Sequence, residues 1–250
     1  MVRTLMKTRT SLFLAGLGAS LLISIASFSA TEPRIAQQSV QAPHAMRISV
    51  SMTSPVTQST DLQIICILKH EAAGDKYIAS MQDLNDKLGG MLSSLRERGA
   101  FAGDLGETLI LSPPQGTITP RRVLLIGVGE EKSLTLDSLR VVGTIALRES
   151  LTLGARHVSF APSLRDQGSR LIDVGEGDGI VAQQVVLAYD TAKKLEAQGL
   201  VPKADIVDFT IQAGPAFFDS AVTKVQAAVS TAAAQLKDRT DAPYMTIVGK

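Results

Sequence analysis

The most constraining feature of this chain is a pair of uninterrupted apolar runs, LQIICILK at residues 62–69 and RVLLIGVG at residues 122–129. Neither is long enough for an ordinary helix, and both are rich in Ile, Leu and Val. A strand that is apolar at every position needs cover on both faces, the condition of a central strand in a parallel sheet. Between and beyond these runs the periodicity changes. Ile78, Met81, Leu84, Leu88, Met91, Leu92 and Leu95 recur at three- and four-residue steps and share one helical face, interrupted by Gly89-Gly90, which reads as close packing or a local break. Residues 107–112 read as a strand joined to 122–129 by a hairpin-like turn containing Pro113, Pro114 and Gly116. A second helix starts near Thr135, an N-cap residue with Asp137 in the first turn, and buries Leu136, Leu139, Val142 and Ala146.

Further elements follow the same alternation. Residues 47–52 (RISVSM) read as a half-exposed strand, 157–162 as a short strand and 163–179 as a loop. A third helix spans about 178–197, with Val181, Val185, Ala188, Ala192 and Leu195 as its stripe. Residues 204–214 form a further strand. A fourth helix follows, with Pro215 at its first position and Phe218, Val222, Val225, Val229 and Leu236 on one face. Residues 244–250 read as a last strand or a tail. The expected fold is a three-layer αβα arrangement around a mostly parallel or mixed sheet. With 45% hydrophobic residues but only 4% aromatic ones and no Trp, the core is built from Val, Leu, Ile and Ala.

The N-terminus has a different character. Residues 1–30 hold Arg3, Lys7 and Arg9, then the apolar run 11–28, then Ser27, Ser29 and Ala30. A basic head, an apolar middle and a small-residue exit describe a secretory signal peptide, cleaved after Ser29 or Ala30. Residues 31–46 are polar, with two prolines, and read as a flexible tether; the domain is expected over 47–240 and a tail over 241–250. Taking the three basic residues of the signal from the 25 in the chain leaves 22 against 24 acidic ones, a charge near −2. No basic stripe remains for nucleic acid, and no apolar run remains for a membrane. The single Cys66 permits no internal disulfide and reads as a buried small hydrophobe. The expected location is periplasmic or extracellular.

Residues for chemistry are sparse. The turn after 122–129 carries Gly127 and Gly129, then Lys132, then a helix start. Glycines after a strand let a backbone approach a ligand, and a helix N-terminus favours an anion, so Gly127, Gly129 and Lys132 are the candidate ligand-binding residues. Lys132 replaces the third glycine of the dinucleotide fingerprint, and Glu130 and Glu131 repel a phosphate; a tight structural turn is the competing reading. The loop VGEGDGI, 174–180, could hold a cation through Glu176 and Asp178, or supply an acidic cap to the third helix. His44, His70 and His157 are isolated, with no HExxH, GxSxG or SxxK motif. Asp83/Asp86 and Asp104/Glu107 read as solvated faces. No catalytic residue, metal ligand or cofactor site is expected.

The stretch GETLILSPPQGTITPRRVLLIGVGEEKSLTLDSLRVVGTIA, residues 106–146, resembles the N-terminal domain of the leucyl (cytosol) aminopeptidases: strand, short turn, strand ending in Gly-x-Gly, then a helix with a Leu-Thr-Leu…Leu-Arg start. The helix with Gly89-Gly90, FAGDLGET at 101–108 and VVLAYDTAKKL at 185–195 fit the same pattern, so the resemblance covers roughly 47–236. It implies a macro-domain-like α/β fold. It also implies that catalysis lies elsewhere, because in that family the two metals and the catalytic residues belong to a separate C-terminal domain. The motif of the type Asn-Thr-Asp-Ala-Glu-Gly-Arg is absent here, so no catalytic or metal-binding role carries over. The family is typically cytosolic, and the export signal departs from it. Together these features favour an exported, non-catalytic domain acting through a protein partner or self-association. The alternatives are a macro-domain-like binder of a nucleotide, ADP-ribose or another small molecule and, further off, a metal-dependent aminopeptidase or a split-enzyme subunit.

Overall fold

The computed structural model describes residues 36–239. The expected signal peptide at 1–30, the first part of the tether and the tail at 241–250 lie outside them. Within them, seven strands form one sheet in the order β1-β2-β7-β6-β3-β5-β4. β1 is Gln37–Gln41, β2 Arg47–Ser51, β3 Leu62–Leu68, β4 Thr108–Leu111, β5 Val123–Gly129, β6 His157–Ala161 and β7 Asp208–Gln212. The five inner strands run parallel; β1 and β4 pair antiparallel at the two edges. The helices are α1 (Ala79–Lys87), α2 (Met91–Glu97), α3 (Leu136–Thr152), α4 (Val174–Ala197) and α5 (Phe218–Lys237).

Strand parity divides the core into two. Ile64, Cys66 and Leu68 of β3, with Leu124, Ile126 and Val128 of β5, face the layer of α3, α4 and α5. Ile65 and Ile67, with Val123 and Leu125, face α1 and α2. Every residue of β3 is buried, as its unbroken apolar run requires. This is the three-layer αβα fold with a mixed sheet.

The described part of the tether departs from expectation. Residues 37–41 form β1, paired with β2 from Gln37–Ser51 to Gln41–Arg47. A 3-10 turn, Pro43–Ala45, reverses the chain between them. Here His44 meets the carboxylate of Asp190 on α4 at 2.9 Å, and that carboxylate also accepts from Arg239 at 3.1 Å. A polar edge strand is held by backbone pairing, so it carries no apolar signature. β2 is not half-exposed either: Ile48 and Val50 lie in the core on the side of α3, α4 and α5, and four of its five residues are buried.

The parallel direction of β2 and β3 obliges the connection 52–61 to return from the carboxyl edge of the sheet to the amino edge. It does so without a helix. Val56 packs with Ile65, Ile67 and Ala161, so the segment lies on the α1/α2 face. Most of the buried residues of β2, β7 and β6 on that face are polar, namely Ser49, Ser51, Ser159, Thr210 and Gln212, with Ala161 the exception. Gln63 of β3 joins them and donates to Gln212 at 2.8 Å.

Gly89 and Gly90 break the α1–α2 segment. Both adopt left-handed φ, +65° and +78°, with open space where a side chain would be, so a turn and not close packing selects them. The opposite holds in α4. The helix begins at Val174 and not at 178, so Gly175, Gly177 and Gly179 lie inside it. Asp173 is its cap, accepting from the Glu176 amide at 3.0 Å, a role the sequence reading assigned to Glu176 or Asp178. A methyl group on Gly175 would strike the Ser220 hydroxyl of α5, and one on Gly179 would lie 3.2 Å from the Lys224 carbonyl oxygen. These glycines serve helix packing. α3 begins as expected, with Thr135 and Ser138 forming a reciprocal cap. α5 begins at Phe218, three residues past the start that would place Pro215 first.

Gly143 of α3 is the matching contact on the other side of α4: a methyl there would lie 2.9 Å from Gln184 Cβ and 3.1 Å from the Val181 carbonyl oxygen. Gly143→Ala is expected to lower stability by about 1–3 kcal/mol through overpacking, more than the roughly 1 kcal/mol gained in helix propensity, as read by urea denaturation. An unchanged or raised midpoint would show that α3 and α4 can separate freely.

Candidate functional site

The carboxyl ends of the parallel strands are the usual place for a ligand in an open α/β sheet. The expected ligand turn lies there, but it is filled. A methyl on Gly127 would collide with the Asp104 carbonyl oxygen and lie 2.6 Å from the Gly103 carbonyl carbon. The Gly127 amide donates to Glu107 O at 2.8 Å, and the Gly129 amide donates to Gly103 O at 3.0 Å. The Gly127 and Gly129 carbonyls accept from Gly106 and Lys69. The loop 103–107 thus occupies the place of a ligand, and the glycines exist to admit it. Lys132 turns outward and pairs with Glu130 at 3.0 Å. The structure therefore does not gather Gly127, Gly129 and Lys132 into one anion site.

Glu107 is what holds that loop. Its carboxylate accepts from the amides of Ala102, Gly103 and Asp104 at 3.1, 2.6 and 3.1 Å. It is a clamp and not a member of a solvated pair with Asp104. A second clamp stands beside it. Arg96 of α2, buried, donates to Asp75 at 2.7 Å and to the Leu68 carbonyl at 2.5 Å, and His70 meets the same carboxylate at 3.0 Å. Burial acting alone would raise the Asp75 carboxyl, but the Arg96 bonds and charge, then His70, outweigh it and hold it below the usual carboxylate range. A pocket of about 210 Å³ lies alongside, between Lys69, Glu71, Lys76, Glu131 and Gln167.

The larger opening lies at the ends of β6 and β7. A cavity of about 320 Å³ is bounded by Met52–Pro55 after β2, the start of α1, residues 161–166 after β6, residues 172–178 at the start of α4, and residues 212–217 after β7. Its walls are mainly apolar, with Leu139, Leu164, Ile172 and Phe217 the largest side chains. Most charged groups around it are spent. Arg165 donates to the Ser169 and Ile172 carbonyls at 3.2 and 3.0 Å and lies over the Phe217 ring. Asp166 accepts from the Ser80 amide and hydroxyl. Asp173 caps α4.

Two groups are not spent. Asp178 is fully buried, and neither carboxyl oxygen has a hydrogen-bond partner. Gln212 offers its oxygen to Gln63, while its Nε2 has no partner. Burial, and then the Asp173 charge, push the Asp178 carboxyl well above its ordinary range. Burial also pushes the neighbouring Cys66 thiol up, with Asp178 adding to it, so the thiol is inert, as expected. Asp178 was legible as an acid but not as a buried one. The spacing Asp173-x-x-Glu176 has a capping signature; with the helix started there, Asp178 falls in register with Val181 and Val185 on the inward face. His157 is structural, bonded to Asp208 across the β6–β7 pair.

The fold and its loops can now be compared with known proteins. Residues 67–173 match the model of the N-terminal domain of the cytosol aminopeptidase family. Over these residues the chain is similar to that domain. A probable cytosol aminopeptidase of Roseiflexus castenholzii is 30% identical over 123 residues, 49% of this chain and 22% of that one. A tomato leucine aminopeptidase mutant superposes with a TM-score of 0.56 at 21% identity, over 78% of this chain and 38% of that one. An Oceanobacillus iheyensis macrodomain with ADP gives 0.58 at 12% identity, over 80% of this chain and all of that one. The structural likenesses bear on fold alone and agree with the macro-domain-like reading. The chain spans 22%, 29% and 36% of the length of three of the curated relatives it matches. The plugged Gly-x-Gly turn and the clamps around it lie within the matched residues, whereas Asp178 and Gln212 lie beyond residue 173.

The Asp75–Arg96 pair generates a prediction about this domain. Because the folded Asp75 carboxyl titrates below its unfolded value, its contribution is present at neutral pH and is lost as pH falls through the folded value. Asp75→Asn is expected to lower stability at pH 7, toward the lower end of the about 3–5 kcal/mol typical of breaking a buried pair. The difference should shrink below about pH 4, where the unfolded carboxyl also protonates. Denaturant melts at pH 7 and pH 3.5 check this; an equal deficit at both would remove the charge from the explanation.

Proposed function

We propose that this chain is an exported, non-catalytic domain that acts by binding a small molecule in the cavity at the carboxyl edge of its sheet. The observation that carries the reading is the cavity itself, about 320 Å³, within the size range of small-molecule sites, walled by apolar side chains and holding two unspent polar groups. Two further facts support it. Among the described residues no group of three or more His, Cys, Asp or Glu is placed to hold a metal ion, whereas two-metal peptide hydrolysis needs such clusters. Residues 1–30 have the pattern of an export signal. A nucleotide or ADP-ribose fits the cavity less well, because Asp166 and Asp173 would oppose its phosphates and Arg165 is already engaged.

A protein partner is a second reading with its own support. β1 is a sheet edge with no charged residue or proline, QQSVQ, and four of its five residues are exposed. Such an edge can accept another strand. Self-association through it would show as a dimer in light scattering.

The test is a peptidase assay of the exported form with Mn²⁺ and Zn²⁺, beside a thermal-shift panel of amines, amino acid amides, nucleotides and ADP-ribose. Hydrolysis should not exceed the blank. A true ligand at about 100 times its Kd should add about 2.7 kcal/mol and raise Tm by roughly 2–4 °C. Metal-dependent hydrolysis, or a panel with no shift at all, would overturn the reading.

A further inference from the structure

A groove of about 970 Å³ runs between α3 and α4 toward their carboxyl ends, bounded also by residues 201–204. The two helices touch at Gly143, where a methyl would lie 2.9 Å from Gln184 Cβ. Beyond that contact the groove opens between residues 144–152 and 184–195. Leu151, Leu187, Ala188, Ala192, Leu195 and Val201 line it and stay partly exposed. None of the buried, unpartnered polar atoms among the described residues lies in it, so its demand is for apolar cover.

The last described residue, Arg239, is itself part of the wall. It follows α5, yet its guanidinium reaches across α4, donating to the Leu187 carbonyl at 2.9 Å, to Asp190 at 3.1 Å and to the Thr191 hydroxyl at 3.1 Å. Lys194 donates to the Arg239 carbonyl at 3.4 Å. The chain therefore leaves α5 fastened to the flank of α4. The sequence that follows is TDAPYMTIVGK, residues 240–250, in which Tyr244, Met245, Ile247 and Val248 form an apolar cluster. Residues 240–243 can span up to about 13 Å, enough to cross a helix about 10 Å wide. The stretch of α4 from Gln184 to Leu195 that lines the groove is about 16 Å long. Residues 244–248 in extended form cover about 17 Å, the same length.

We propose that this groove is the docking site of the chain's own segment 244–248, with its apolar side chains laid between α3 and α4. Charge agrees with that occupant. Arg148, Lys203 and Arg239 line the groove and no acid does. The segment's approach carries one acid, Asp241, two residues past Arg239. A second copy meeting the first groove to groove would instead set these cations against each other. Docking within one chain also avoids the translational and rotational cost that a separate partner pays, because the segment is tethered at the groove's own wall. The proposal is independent of the cavity at the ends of β6 and β7.

The experiment places cysteine pairs in the purified chain, whose native Cys66 is buried and does not compete. Ala192→Cys puts a thiol in the groove and Ile247→Cys puts one in the segment. A short bismaleimide should link this pair within one molecule. Ile247→Cys combined with Ser230→Cys, at an exposed position of α5, should link far less. A second readout is the rate at which dithionitrobenzoate labels the groove thiol in the Ala192→Cys chain. Adding Ile247→Asp should raise that rate at least about tenfold, because an apolar side chain gives up its burial. Equal linking of the two pairs overturns the proposal, since a segment free in solution reaches both. Absence of any link to Ala192→Cys overturns it, as does a labelling rate indifferent to Ile247→Asp. Cross-linked dimers in place of monomers overturn it too, by giving the groove to the segment of a second copy.

Discussion

Five parallel strands buried on both faces set the terms for everything else in this molecule. Such a sheet must be covered on each side, and every covering segment must return from the carboxyl edge to the amino edge. Helices make the return on the α3–α5 face, where the sheet residues beneath them are apolar throughout. On the other face α1 and α2 cover only the half around β3 and β5. Over β2, β7 and β6 the extended segment beginning at Met52 takes their place, and the sheet beneath it turns to serine, threonine and glutamine. A segment without regular structure has its own backbone groups to satisfy, so a polar sheet surface is the compatible partner. Where this thin cover meets the ends of β6 and β7, the cavity of about 320 Å³ opens.

The two ends of the carboxyl edge have been treated in opposite ways. Around β3 and β5 the edge is closed. Loop 103–107 fills the Gly-x-Gly turn, Glu107 fastens the loop through three amides, Arg96 and Asp75 fasten the chain beyond β3, and Gln167 bonds the Cys66 carbonyl and the Leu68 amide. Almost every polar group there has a partner. Around β6 and β7 the edge stays open, and two buried polar groups are left without one. The contrast within one sheet edge directs attention to Asp178 and Gln212. The domain's relatives are named as aminopeptidases, and this chain spans only their first part.

The fold was largely legible in the sequence because its strongest signals are local. The runs at 62–69 and 122–129, the cap at Thr135 and the three- and four-residue apolar steps each report a segment's own burial. The resemblance at 106–146 correctly placed the macro-domain-like arrangement. What was misread depended on partners distant in the chain. Residues 37–41 form a strand only because β2 lies alongside, and backbone pairing leaves little trace in a polar segment. Gly175, Gly177 and Gly179 read as a loop because glycine disfavours helix, yet the proximity of α3 and α5 outweighs that preference. Gly127 read as room for a ligand, whereas the room is taken by Gly103 and Asp104, some two dozen residues earlier.

Sequence alone determined the layered α/β class, the two central strands and the burial of Cys66, since each follows from residue type and short-range periodicity. Tertiary structure alone decided which glycines admit backbone and which admit helices, that Glu107 is a clamp, and that Asp178 is buried without a partner. The reason is physical: a side chain's burial and hydrogen bonding depend on what the fold brings against it, and the segments that meet at this sheet edge come from six separate parts of the chain.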